Sequence, residues 1–370
     1  MNKVQSILVI CFGLILVTTL EAKSTVTTVP LNGLGLNSTT IQTLVDGTDL
    51  YIGSTEVDDS NCGASKLYRV NAAGELKSID LSSISGCIDK ILKNETTGAI
   101  VLQVSAMREG FFAPTEADDT LISISFDEND TASFSDAGLN TRIDKLLTAK
   151  RNNQSIFYIF NSDYYGEKQL YSYIDPSLKL LTESTKLVDV AIAPDKKTVI
   201  EAYSCGIQTV RYIGGKRKFI SYPLAGEKFC THVNNSPLST QIGDIKVIDK
   251  YLFYSTYIPE EDSDSYYYVK DLSNNKKQYI AESLYFDSIH LYNDYIYTLN
   301  KYNGVFRKRG IFSKKNSGSV QLLDDAAVRS LTLLSQSGNK LILLQDASIY
   351  GAELSFTNSP DIDVVVYLLQ

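Results

Sequence analysis

Seven apolar, tyrosine-rich runs recur along this 370-residue chain, and their spacing limits the fold more than any other feature. They are Asp49-Leu-Tyr-Ile-Gly, Ala99-Ile-Val-Leu-Gln, Ile156-Phe-Tyr-Ile-Phe, Thr198-Val-Ile-Glu-Ala, Tyr251-Leu-Phe-Tyr-Ser, Tyr295-Ile-Tyr-Thr-Leu and Lys340-Leu-Ile-Leu-Leu. Their starts lie 50, 57, 42, 53, 44 and 45 residues apart. Short aromatic and β-branched runs bounded by turn residues read as strands. A period of this length with strand content alone predicts an all-β fold, a single β-propeller. Seven units predict seven four-stranded blades, and the uneven spacing leaves six or eight as alternatives.

The first unit divides into four strands, A to D: Ile41–Val45, Asp49–Gly53, Lys66–Val70 and Leu76–Leu81. Asn71-Ala-Ala-Gly-Glu supplies the small, flexible residues of a C–D turn. The second unit opens with Ile88-Asp-Lys-Ile-Leu and the third with Ile143-Asp-Lys-Leu-Leu, an independent sign of repetition. Later A strands are expected near Leu187, Ile245, Ile289 and Leu331. The segment Thr25–Leu31 precedes the first unit and is expected to pair with the last blade. That would close the ring and remove exposed sheet edges. Pro30 suits such an outer strand.

Lys3 followed by the apolar run Ile7–Val17 reads as an export signal cut near Ala22, too short to span a bilayer. The expected division is residues 1–22 as signal and 23–370 as one propeller domain, secreted and monomeric, without a membrane span. Cys11 leaves with the signal, and Cys62, Cys87, Cys205 and Cys230 remain. An even count in an exported chain suggests two disulfides, with three connectivities open. Both gaps, 62 to 87 and 205 to 230, are 25 residues, and the flanking sequences align. This favours Cys62–Cys87 and Cys205–Cys230. With only two histidines and no Cys-x-x-Cys pair, a zinc site is disfavoured. Asn37, Asn94, Asn129, Asn153 and Asn234 head glycosylation sequons, relevant in a eukaryotic host.

The net charge of −8 argues against a nucleic-acid partner. The strand map divides the charges between two faces. Expected B–C loops carry Asp58, Asp59, Asp118, Asp119, Asp163, Glu260, Glu261, Asp262 and Asp264, with Tyr164 and Tyr165 as amphipathic recognition residues. These are the candidate ligand-binding residues. They suit a cationic partner surface, or a Ca²⁺ ion held by carboxylates. The A–B and C–D loops carry a basic patch instead: Lys196, Lys197, Lys216, Arg217, Lys218, Lys276, Lys277, Lys314 and Lys315. That patch suits a sulfated glycan or an acidic protein. Asp127-Glu-Asn-Asp-Thr131 matches part of a calcium loop and reads better as a solvated turn.

Signals for catalysis are sparse. A histidine base would have to be His232 or His290, and no nucleophile elbow, phosphate-cradling loop or His-Glu-x-x-His is present. No catalytic residue and no metal ligand is assigned.

Lys66-Leu-Tyr-Arg-Val-Asn-Ala-Ala-Gly-Glu resembles one hairpin of the low-density-lipoprotein-receptor type of propeller. The family's Tyr-Trp-Thr-Asp signature is absent. The resemblance implies an extracellular ligand-binding propeller and carries over no binding residue. Together these features lead us to expect a non-catalytic binding module for an extracellular protein or glycan, acting through the acidic loop face. A calcium-dependent propeller hydrolase or lyase, with its site at the channel mouth, is the alternative. A structural matrix or coat protein is a third reading.

Overall fold

Short strands separated by tight turns pair with their sequence neighbours, which builds antiparallel meanders. The structure, a computed structural model, describes residues 27–30, 41–58, 61–71, 75–84, 86–105, 119–139, 141–162, 167–174, 176–204, 206–213, 216–224, 241–257, 265–274, 276–282, 289–292, 295–300, 305–312, 318–321, 330–337, 340–346 and 362–368. Every element among them is a strand. The first, β1 (Thr27–Pro30), precedes blade one, which is β2 (Gln42–Asp46), β3 (Asp49–Asp58), β4 (Asn61–Val70) and β5 (Leu76–Ile79). Blade two is β6 (Cys87–Lys93), β7 (Ile100–Ser105), β8 (Thr120–Phe126) and β9 (Ala132–Asp136). Blade three is β10 (Lys145–Arg151), β11 (Gln154–Ser162), β12 (Lys168–Ile174) and β13 (Ser177–Ser184). Blade four is β14 (Leu187–Ile192), β15 (Val199–Tyr203), β16 (Gly206–Ile213) and β17 (Lys216–Leu224). Blade five is β18 (Gln241–Ile248), β19 (Tyr251–Tyr257), β20 (Tyr266–Asp271) and β21 (Lys277–Glu282). Blade six is β22 (Ile289–Tyr292), β23 (Tyr295–Asn300), β24 (Val305–Gly310) and β25 (Gly318–Gln321). The last sheet is β26 (Ser330–Ser337), β27 (Lys340–Asp346) and β28 (Ile362–Leu368) with β1 added outside.

The described residues thus form seven four-stranded sheets. Closure follows the expected route: Thr27 to Pro30 pair antiparallel with Val366 to Asp363, so the first described strand completes the last sheet. The innermost strands of the first and last sheets, β2 and β26, also touch. Pairing β1 with β28 covers the outer edge of the last sheet with a strand from before blade one.

All seven apolar runs are the second strands of their sheets. The reason is burial. A second strand is covered on both faces by neighbouring blades, so every residue of β7 is buried, as are Ser155 to Asn161 of β11. Such strands read as continuous apolar runs instead of alternating ones. The fourth strands lie outermost and are largely exposed, as in β9 and β13. The core is therefore a series of layers between blades. One layer joins Tyr51 and Leu67 to Ile88 and Leu102, and another joins Tyr158 and Leu170 to Val190 and Val210. Tyr267 and Tyr268 serve opposite layers, toward blades six and four respectively, as strand alternation demands.

Cys62 differs from its expected place in a B–C loop. It lies inside β4 opposite Val57, because β3 and β4 extend to a tight hairpin at Asp58 and Asn61. It is bonded to Cys87, the first residue of β6, with Cα atoms 5.2 Å apart. The expected pairing is thus present. Cys205 and Cys230 lie outside the described residues. Beside the disulfide, the Thr55 and Ser65 hydroxyls share a hydrogen bond of 2.8 Å. Ser65 Oγ donates to Gly86 O, and Ile88 N donates to Thr55 Oγ1. A covalent bond and a buried polar chain therefore fasten the B–C hairpin of blade one to the start of blade two.

Candidate functional site

Among the described residues, charged side chains gather along the innermost strands and on the outer halves of the facing sides of blades four and five.

Three of the innermost strands carry a bulge near their start. The β6–β7 register shifts between Ile88 and Lys90, β14–β15 between Leu187 and Asp189, and β18–β19 between Ile242 and Ile245. A bulge re-aims the residue that follows it. Lys90 Nζ donates to Leu146 O of the next blade at 2.7 Å. Lys145 Nζ donates to both carboxylate oxygens of Asp189, at 2.7 and 2.8 Å, and on to Ile245 O. Asp189, 5% exposed, also accepts the Ile245 and Val190 N–H groups. Lys246 Nζ donates to Ile289 O of blade six. At the other end of the innermost strands, Lys93 of β6 pairs with Asp46 of β2. This hub spends its cations and its central carboxylate on neighbouring blades. The sequence signal for it was the Ile-Asp-Lys repeat, which announced repetition but not its chemistry.

The disulfide places the B–C hairpin of blade one and the junction to blade two on the same face. Of the acidic candidates, Asp58 ends β3 and pairs with Asn61. Asp119 is 5% exposed, bridges to Thr141 and accepts the Ile143 N–H at 2.7 Å. Its carboxylate anchors the entry to blade three, whereas the spacing had placed it in an exposed loop. Asp59, Asp118, Asp163, Tyr164, Tyr165, Glu260, Glu261, Asp262 and Asp264 lie outside the described residues, in segments that join second to third strands. His232 also lies outside them, and His290 sits in β22 opposite Tyr297.

The segment Asp127–Thr131 forms a turn, as expected. Asp127 Oδ1 accepts the Asn129 and Thr131 N–H groups, and Asp130 (φ 60°) turns its carboxylate to Arg69 and Lys77 of blade one. Among the described residues, no group of three or more His, Cys, Asp or Glu side chains is placed to hold a metal ion. Asn129 and Asn153 are exposed at turns, and Asn94 is half-buried with Oδ1 accepting the Thr96 N–H. Asn37 and Asn234 lie outside the described residues.

The basic candidates divide by strand alternation. Arg217 turns to the side of blade four that faces blade three, where Glu201 of the same blade, fully buried, takes its guanidinium at 2.7 Å. Tyr212 and Tyr203 also donate their hydroxyls to Glu201, and Gln208 Nε2 donates at 3.2 Å. Burial, followed by the Glu201 charge, raises the Tyr203 hydroxyl to about 12 and pushes that of Tyr212 up further. Lys216 and Lys218 face the other way, opposite Ile213 and Arg211. That side of blade four packs through Ile200, Ala202 and Ile207 against Leu252, Tyr254 and Tyr268 of blade five. Lys270 and Lys277 are cross-strand partners on the facing side of blade five, and Tyr268 pairs with Tyr279.

The outer halves of these two blades, on the sides that face each other, therefore carry cations and tyrosines. Lys277 Nζ sits 4.1 Å from the Tyr268 ring centroid, and Tyr279 meets Tyr268 edge-on at 5.7 Å. Desolvation, then repulsion from Lys270, push the Lys277 ammonium below its usual value. On blade four, Arg211 pairs with Asp195 at 2.8 Å. Burial raises the Asp195 carboxyl, but hydrogen bonds from Lys197, Thr198 and Arg211 outweigh it and hold the group at about 2. Lys196, Lys197 and Lys276 occupy exposed turns on this face. Lys314 and Lys315 lie outside the described residues.

Sheet topology, closure and hub define a β-propeller, and solved structures share that fold. The AfRom2 CNH domain matches with a TM-score of 0.53 at 10% identity, over 93% of this chain and 99% of its own. The polysaccharide lyase Uly1 matches with a TM-score of 0.55 at 9% identity, over 89% and 90%. The Pseudomonas aeruginosa periplasmic gluconolactonase PpgL gives 0.45 at 8% identity, over 76% and 84%. At these identities the likeness is one of fold alone. No family model matches the sequence, and no curated protein matches it.

Proposed function

We propose that this protein is a secreted, disulfide-stapled propeller that binds an extracellular protein or glycan without catalysing a reaction. The observation that carries this reading is the hub. Lys145, Asp189 and Ile245 link three successive blades, which supports a hub whose charges hold the ring together. Recognition then falls to loops and clefts around a fastened ring. The Cys62–Cys87 bond fits an oxidising compartment. The first surface proposed is the B–C/D–A face, with Glu260, Glu261, Asp262 and Asp264 as its acidic loop.

The test is calorimetric titration of the metal-stripped mature protein with Ca²⁺. The binding reading expects no saturable heat. Micromolar binding at one site would replace it with the channel-mouth hydrolase or lyase and call for a substrate screen.

A further inference from the structure

We propose that the cleft between blades four and five binds a sulfated glycan, through Lys216 and Lys218 on one wall and Lys277 with Tyr279 on the other. This inference rests on the binding reading and names a site and ligand class within it. The walls belong together because the inner halves of the same two sheet faces share one apolar layer. Past that layer, alternation along β16 and β17 sends Arg211, Lys216 and Lys218 to the same side. Pairing of β20 with β21 sets Lys277 beside Lys270 and Tyr279 beside Tyr268.

Two like charges directly opposite across a ladder repel. An anion between the walls would relieve that repulsion. The cations offered outward are lysines. Arg211 is already committed to Asp195, and Arg217 to Glu201 on the far side. A lysine presents a point charge, which suits a sulfate, while paired carboxylates are better matched by the guanidinium fork. A register shift between Tyr267 and Tyr268 leaves Ile280 as the extra residue of β21. Tyr279, just before it, remains 42% exposed. Its flat, amphipathic ring suits the apolar face of a pyranose. Charge and ring together favour a sulfated sugar over a plain polyanion.

The probe is a fluorescent heparin octasaccharide, titrated by anisotropy into the full mature protein at low salt. Saturable binding that weakens as salt rises is expected. Lys218→Gln with Lys277→Gln should weaken it about tenfold, the sum of two exposed ion pairs. Tyr279→Ala should weaken it about threefold, a fraction of one buried aromatic contact, and leave the salt dependence unchanged. Lys179→Gln, an exposed lysine on the outer strand of blade three, should leave it unchanged.

Equal loss in Lys179→Gln would reduce the effect to overall charge and overturn the site. Tighter binding of oligoglutamate or oligothymidylate than of the octasaccharide would reassign the cleft and overturn the ligand class. No binding of any probe would overturn the cleft while leaving the calcium titration, and the binding reading it tests, unaffected.

Discussion

The ammonium of Lys145 lies 2.7 Å from Asp189 Oδ1 of the next blade and 3.3 Å from Ile245 O of the blade after it. One side chain thus ties three blades at the innermost strands. Because Asp189 is buried, its removal strands a partly buried ammonium and two N–H donors. Asp189→Ala should cost on the order of 3 kcal/mol. Asp189→Asn, which keeps an acceptor, should cost less. Denaturant unfolding followed by tyrosine fluorescence measures both. Equal stability of the alanine variant and the parent would show that the hub contributes nothing.

The Cys62–Cys87 bond closes a loop of 25 residues in sequence separation. Its main effect is on the unfolded chain, worth on the order of 3 kcal/mol. The double replacement Cys62→Ser with Cys87→Ser should melt several degrees lower. Peptide mapping without reductant should recover the linked pair. A free thiol at either position would contradict the bond.

Gly86 should tolerate no side chain. Its φ is +123°, and an added Cβ would lie 2.5 Å from Ser105 O, which is backbone and cannot yield. Gly138 shares a positive φ but has nothing within 4 Å. Gly86→Ala is expected to lose about 3 kcal/mol and Gly138→Ala about 1 kcal/mol. The order of the two, read from thermal unfolding, is the prediction. A reversed order would mean that the junction of blades one and two relaxes around the new atom.

Glu201 and Arg217 form a network that loses much when one side is removed. Glu201→Ala leaves the Arg217 guanidinium and the Tyr203 and Tyr212 hydroxyls without their acceptor. A loss of about 3–5 kcal/mol is expected. Glu201→Leu with Arg217→Met, which removes both charges, should recover much of it. A double-mutant cycle gives the coupling, and strict additivity would show that the two residues act independently.

The Asp195 carboxyl, held at about 2 against an ordinary value of 3.8, makes a signed pH prediction. The ionised form is favoured in the folded state. Its contribution is complete above the unfolded value and is lost as pH falls through the folded one. The melting temperature of the parent should exceed that of Asp195→Asn at pH 5, and the gap should close as pH approaches 2. The group is partly exposed, so the gap should also shrink with added salt. A gap independent of pH would assign the stabilisation to shape instead of charge.

Much of the architecture was readable from the chain. Blade repetition, the second strand of every sheet, the closing strand before the first unit and the Cys62–Cys87 pairing depend on local period and spacing, which a strand carries wherever it lies. The direction of individual charges was not readable in the same way. Lys216, Arg217 and Lys218 look like one cationic run, yet alternation sends the outer two toward blade five and the middle one to Glu201. Asp119 looks like a loop acid, yet the next blade's entry buries it.

A one-residue slip reverses every side chain of a strand. The bulges that set this register at Asp189 and at Ile280 leave no mark in composition. The partners they select stand blades apart, as Lys145 and Ile245 do across 100 residues of sequence. The amino-acid sequence by itself determined that the chain would form a closed ring of small sheets, because apolar period and turn chemistry act over a few residues. Only the tertiary structure decided which charges fasten the hub and which stay on the outer halves of the blades. That choice depends on burial between blades, which exists only once the ring has closed.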